Sequence, residues 1–181
     1  MLPDFRVRQR DYLLEISRAL TQELDLEKLL ARILRISIEM LAGQAGLIAL
    51  KLPDGWRVAT AHGIAPAFLS YLTPLLAEEK VRELDVLELN RMLKELTYTA
   101  SMGLLNGTGL PLSANGQVIG VIFIFRNYED MFTPNDRVLL QSFADQAAIA
   151  VFNAQLYGQV TYEKKRLDAL LDSAADGILI L

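Results

Sequence analysis

Apolar positions change their spacing several times along the chain. From Asp4 to Leu41 they recur at helical intervals. Leu13, Ile16, Leu20 and Leu24 make one stripe; Leu26, Leu29, Leu30, Ile33, Leu34, Ile36, Ile38 and Leu41 make a second, wider one. Asp25 lies between them, where its carboxylate can accept the orphan amide hydrogens of a first helical turn. Lys28 stands where a full capping box carries Glu. The pattern predicts two helices, over roughly 5–22 and 26–42, the second ended by Gly43. Ala45–Leu52 is short and apolar, Pro53-Asp54-Gly55 is turn chemistry, and Trp56–His62 alternates up to Gly63, so a β-hairpin follows.

The middle is less regular. Pro66 to Glu79 has helical spacing, with Pro74 starting or interrupting it. Val86-Leu87 reads as a short strand, and Asn90 to Leu96 as a helix begun by an Asn90 cap. Leu110-Pro111-Leu112 then leads through Asn115-Gly116, a strong hairpin signal, into Gln117–Phe125. That strand is apolar on both faces, which predicts a central place with helix packed on at least one side. Thr133 as N-cap, Pro134 in the first turn and Asp136 behind it open a long helix. Neither Gly nor Pro interrupts it before Gly158. Helical spacing resumes through Leu167, Leu170 and Leu171 to Ala174, Gly177 closes it, and Gly177–Leu181 reads as a strand. The order predicts an α+β domain, an antiparallel sheet flanked by helices.

Composition narrows the chemistry. The chain has 181 residues, room for one domain with extensions. It has no cysteine, which removes disulfides, thiolate metal sites, a Cys nucleophile and thioether-linked cofactors. A net charge of -4 disfavours nucleic acid as a partner. Apolar runs such as Val118–Phe125 are far shorter than the roughly 20 residues of a membrane span. Met1-Leu2-Pro3-Asp4 does not open like a signal peptide, so a cytoplasmic location is expected. His62 is the only histidine and has no Cys or carboxylate cluster around it, so no metal is expected. Ser101, Ser142 and Ser173 have no neighbouring His. Gly103, Gly107 and Gly109 are not followed by Lys-Ser/Thr. No catalytic residue and no cofactor is therefore expected.

Several stretches resemble, in order, those of GAF domains. These are Leu24–Leu30 at the entry to the second helix, Val58–Gly63 at the end of the second strand, and Leu110–Leu112 with the Asn-Gly turn and Val118–Ile122. Phe132–Asp136 and Leu139 through Val151 resemble the closing helix. The set spans most of 10–158. Leu167–Ile180 resembles the opening of a PAS domain. The resemblance implies a signalling helix over 1–22, a GAF domain over 23–157, a helical linker over 158–175 and the start of a PAS domain over 176–181. It implies the sensory half of a bacterial signalling protein whose output is often a histidine kinase, less often a diguanylate cyclase or phosphatase.

The resemblance also implies a ligand site between the sheet and the middle helices. Its candidate lining is Trp56, Phe68, Tyr71, Leu72, Leu89, Met92, Leu96, Tyr98 and Phe123, residues that equally suit a core. Photoreceptor GAF domains often attach a bilin through Cys, and this chain has none. Cyclic-nucleotide GAF domains carry Asn-Lys, then Phe, then Asp-Glu. Here Asn127-Tyr128, Phe132 and Asp136-Arg137 keep Asn, Phe and Asp but lose Lys, and with it the ion pair to the Asp.

The last helix carries a second apolar face. Ile149, Asn153, Leu156, Val160, Glu163, Leu167, Leu170 and Ala174 alternate by four and three, a heptad seam with polar breaks at Asn153 and Glu163. Leu13, Ile16 and Leu20 can join the same bundle. A homodimer is expected, with the seam passing a signal to the chain's own PAS and output domains, with or without an unidentified small molecule. A ligand-free dimerising spacer and a cyclic-nucleotide-binding domain are the alternatives.

Overall fold

The computed structural model describes residues 6–11, 14, 25–77, 86–99 and 103–179, the side chains of 73–77, 86–89, 98, 99, 158, 159 and 176–179 excepted. Helix α1 (Leu26–Met40) starts at the Asp25 cap, whose Oδ1 accepts from the amides of Glu27 at 3.1 Å and Lys28 at 3.4 Å. Lys28, the departure from a capping box, turns its ammonium back to Asp25 Oδ2 at 3.3 Å. The amide of Lys28, then the Lys28 side chain, hold the Asp25 carboxyl below its ordinary value.

The end of α1 differs from the sequence expectation. The amide of Gly43 donates to Ile38 O at 2.8 Å and that of Ala42 to Glu39 O at 3.2 Å, the paired bonds of a Schellman cap. The left-handed residue of that cap is Ala42, at φ 49°, and not Gly43. Gly43 is needed for a different reason. A Cβ there would lie 2.8 Å from Ile124 Cγ2 and 3.2 Å from Phe125 O, so the glycine lets the chain graze the sheet.

Strands β1 (Ala45–Leu52) and β2 (Gly55–His62) form the first hairpin. Helix α2 (Pro66–Ala77) begins at Pro66 and runs through Pro74. Helix α3 (Val86–Thr99) follows. Val86-Leu87 is thus helical and not a strand, and Asn90 lies inside the helix and not at its cap. A two-residue strand has no partner to satisfy its backbone, whereas a helix satisfies its own. Asn90 turns to the sheet instead: its Oδ1 accepts from Thr108 Oγ1 at 2.8 Å and from the Gly109 amide at 3.2 Å.

Strands β3 (Asn106–Ala114) and β4 (Gln117–Arg126) make the second hairpin, with Asn115 at φ 50° and Gly116 at φ 75° in the turn. The sheet is antiparallel in the order β2-β1-β4-β3. Its two middle strands are buried on both faces, as the apolar run of β4 requires. Alternation assigns the faces. Ile48, Leu50, Ile122 and Ile124 meet α1 and the helix that follows β4. Ala45, Leu47, Ala49, Val121, Phe123 and Phe125 meet α2 and α3. The structure is α+β, as expected.

Helix α4 (Pro134–Leu179) has 46 residues. Thr133 and Asp136 cap it reciprocally: the Asp136 amide donates to Thr133 Oγ1 at 3.1 Å, and the Thr133 amide donates to Asp136 Oδ2 at 2.8 Å. The backbone stays helical through Gly158 and through Gly177 to Leu179. The strand expected from Gly177 is therefore helical up to Leu179, and Ile180 and Leu181 lie outside the described residues. A strand here would need a neighbour that no described residue offers, while the helix closes its own hydrogen bonds.

Three substitutions test these ends. Ala42→Gly relieves a left-handed alanine and is expected to stabilise by about 0.5–1 kcal/mol. Gly43→Ala overpacks and is expected to cost about 1–3 kcal/mol; urea unfolding reads both. Asp25 is depressed when folded, so its stabilisation is full above the ordinary carboxylate range and fades as pH falls through the lowered folded value. The melting-temperature gap between the natural chain and Asp25→Asn should narrow towards acid pH.

Candidate functional site

Where β4 ends, a buried cation ties three elements together. Arg126 is 6% exposed. Its Nε and Nη2 both donate to Leu41 O, at 3.0 and 2.6 Å, at the C-terminus of α1. Nη2 also donates to Asp136 Oδ2 at 3.2 Å, in the first turn of α4. Nη1 donates to Met131 O at 3.3 Å, and the ring of Phe132 lies 4.0 Å from the guanidinium carbon. Each charge sits where it is welcome, the cation at a helix C-terminus and the carboxylate at a helix N-terminus.

This explains the partial cyclic-nucleotide pattern. Phe132 and Asp136 are both engaged by Arg126, and Asn127 is exposed. The expectation that losing Lys at position 128 removes the ion pair to the Asp is corrected. Arg126, two positions earlier, supplies that pair. Tyr128 instead donates its hydroxyl to Ala42 O at 2.8 Å. Sequence reasoning passed over Arg126; the available signal was a lone charge closing an eight-residue apolar run.

Of the nine candidate pocket residues, six come together. Phe68, Leu72 and Phe123 are fully buried in the layer between the sheet and helices α2 and α3, and Trp56, Met92 and Leu96 pack against it. Tyr71 is 48% exposed. Leu89 and Tyr98 fall on α3 with side chains outside the described residues. Much of the layer is aromatic. Phe68 meets Phe125 edge-on at 5.3 Å between centroids, and Phe123 meets Phe125 at 6.3 Å. Gly107 and Gly109 leave the space these rings fill: a Cβ at Gly107 would lie 2.8 Å from the Phe125 ring, and one at Gly109 would strike that of Phe123.

The heptad residues lie along α4. Phe143, Ala147, Ala150 and Val151 cover the sheet, with Ala154 half-buried beyond them. Ile149, Asn153, Leu156, Val160, Glu163, Leu167, Leu170 and Ala174 are all exposed, Val160 at 67%. Leu13, Ile16 and Leu20 lie outside the described residues. His62 ends β2 exposed to solvent, and among the described residues no group of His, Asp and Glu is placed to hold a metal. Among the same residues no helix is long and apolar enough to cross a membrane.

A family model for the GAF domain matches residues 25–151, well over half of the chain. The chain belongs to the GAF domain family. It is similar in structure to the GAF domain of a protein designated a sensor histidine kinase from Pseudomonas syringae pv. tomato, with a TM-score of 0.68 and 17% identity over 90% of this chain and 97% of that one. It is similar to the GAF domain of an Acinetobacter phosphoenolpyruvate-protein phosphotransferase, with a TM-score of 0.61 and 13% identity over 82% and 95%. The phycoerythrobilin-bound GAF domain of a cyanobacterial phytochrome matches with a TM-score of 0.60 and 16% identity over 82% and 96%. No curated protein matches the chain.

Removing the Arg126 side chain strands Asp136 and the Leu41 carbonyl. Arg126→Met should cost about 3–5 kcal/mol in urea unfolding. Arg126→Lys keeps the charge but not the fork, and should lose part of that.

Proposed function

We propose that this chain is the sensory or regulatory GAF module of a multidomain signal-transduction protein. It relays a signal through α4, which pairs with α4 of a second copy. The observation that carries this reading is the exposed apolar seam from Ile149 to Leu170 on a helix that continues past the sheet. An isolated helix in water is marginal, and its apolar stripe gains by meeting another. The four-three alternation suits a left-handed coiled coil, and Asn153 at a seam position would set a parallel register. Movement of the GAF core would shift the crossing or register of the two helices, a bistable element of the usual kind. Residues 158–175 serve as the linker and 176–181 as the start of a PAS domain, ahead of a histidine-kinase-like output in the cytoplasm.

A spacer without ligand is a second reading, favoured by the way Phe68, Phe123 and Phe125 fill the layer beneath α2 and α3. In the ligand reading the same layer opens to admit a non-covalent small molecule among Trp56, Leu72, Met92 and Leu96.

Light scattering tests the relay reading. The chain should have the mass of a dimer, and Leu156→Asp with Leu167→Asp should give a monomer while the folded core keeps its near-ultraviolet circular dichroism. A chain that stays monomeric at high concentration, or a dimer that ignores both substitutions, overturns it. A thermal-shift screen separates the two variants: a stabilising compound whose effect is lost in Phe123→Trp supports the ligand, and no such compound supports the spacer.

A further inference from the structure

A groove of about 300 Å³ runs along the outer edge of β3, between α3 and the start of α4. It is separate from the aromatic layer beneath α2 and α3. Arg91 and Lys94 enter it from α3, and Arg137 from the first turns of α4. No carboxylate lines it. The chain as a whole carries a net charge of -4, so Lys94 and Arg137 in one groove, beside the Glu95-paired Arg91, run against the overall field. Arg91 Nη1 is bonded to Glu95 Oε1 at 2.9 Å. Among the described residues neither Lys94 nor Arg137 takes part in an ion pair.

The groove has a firm floor. Thr108 is tied to Asn90, and Phe132 is held beneath the Arg126 guanidinium. Phe132 and the 67%-exposed Met131 give it an apolar side. Its volume is at the lower end of the range for small-molecule sites.

We propose that this groove binds a small phosphate monoester. A phosphate monoester carries a charge near -2 and three acceptor oxygens, which answer Lys94 and Arg137, the two cations that α3 and α4 bring there without an ion pair among the described residues. A guanidinium also grips phosphate through two parallel bonds. A carboxylate brings one charge and two oxygens and leaves a cation unmatched. The organic part of the ester lies against Phe132 and Met131. The bound molecule bridges α3 to the first turns of α4. The proposal does not rest on the relay reading, since the groove is complete within one chain.

Phenyl phosphate, titrated into ¹⁵N-labelled chain at constant ionic strength, is the probe; benzoate and inorganic phosphate are the controls. Phenyl phosphate should shift the Gly107, Thr108 and Arg137 amides saturably, and at least tenfold more tightly than benzoate. Lys94→Glu with Arg137→Glu, both exposed positions, should weaken binding at least tenfold without changing the melting temperature. If that variant fails to fold, Lys94→Gln with Arg137→Gln replaces it and should weaken binding several-fold. The absence of saturable shifts, or equal binding by either variant pair, overturns the site. Benzoate binding as tightly overturns the preference for phosphate. Inorganic phosphate binding as tightly as phenyl phosphate overturns the role of the apolar side.

Discussion

The fold turns on one buried guanidinium. Arg126 ends the central strand β4, donates to the Leu41 carbonyl at the end of α1 and holds Asp136 at the start of α4. A cation taken out of water is costly unless every donor is used and a counter-charge is close. Here the peptide carbonyls, the carboxylate and the face of Phe132 meet both needs. The same Asp136 oxygen accepts the Thr133 amide, so the cap of α4 and the end of α1 are set by one group. α1 and α4 thus lie side by side on one face of the sheet because their facing ends share a charge.

The second constraint is the two-faced sheet. β1 and β4 are apolar on both sides and cannot leave either to water. α1 and α4 cover one face, α2 and α3 the other. The second layer is filled by phenylalanine rings lying over Gly107 and Gly109, so the place where the family resemblance puts a ligand is in this chain packed with its own side chains. α4 meets its share of the sheet by Val151 and then runs on with an exposed apolar stripe. The first part of the helix belongs to the domain core, and the rest keeps its apolar stripe exposed.

Most elements were legible because their signals are local. The Asn115-Gly116 turn, the Asp25 and Thr133 caps and the apolar runs of β1 and β4 need only a few neighbouring residues. The misreadings share a cause. Val86-Leu87 is apolar and begins with a β-branched residue, but its helical state depends on continuity with α3. Gly177 reads as a stop, yet one glycine costs a helix only about 1 kcal/mol against alanine. Asn90 has the chemistry of a cap and spends it on the edge of β3, a contact across 18 residues of sequence. Ala42, which the sequence does not mark, takes the left-handed conformation that a glycine takes at many helix ends, and Gly43 does not.

By itself the sequence determined the α+β class, both hairpins, the start of the long helix and the heptad spacing, because each follows from periodicity and turn chemistry within one segment. Only the tertiary structure decided that Arg126 replaces the missing lysine as partner of Asp136, and that six candidate pocket residues meet in one aromatic layer. It alone brought Lys94 and Arg137 to one groove. Those outcomes depend on which side chains meet across the chain, and that is fixed by packing two helical layers on one sheet, which no local pattern encodes.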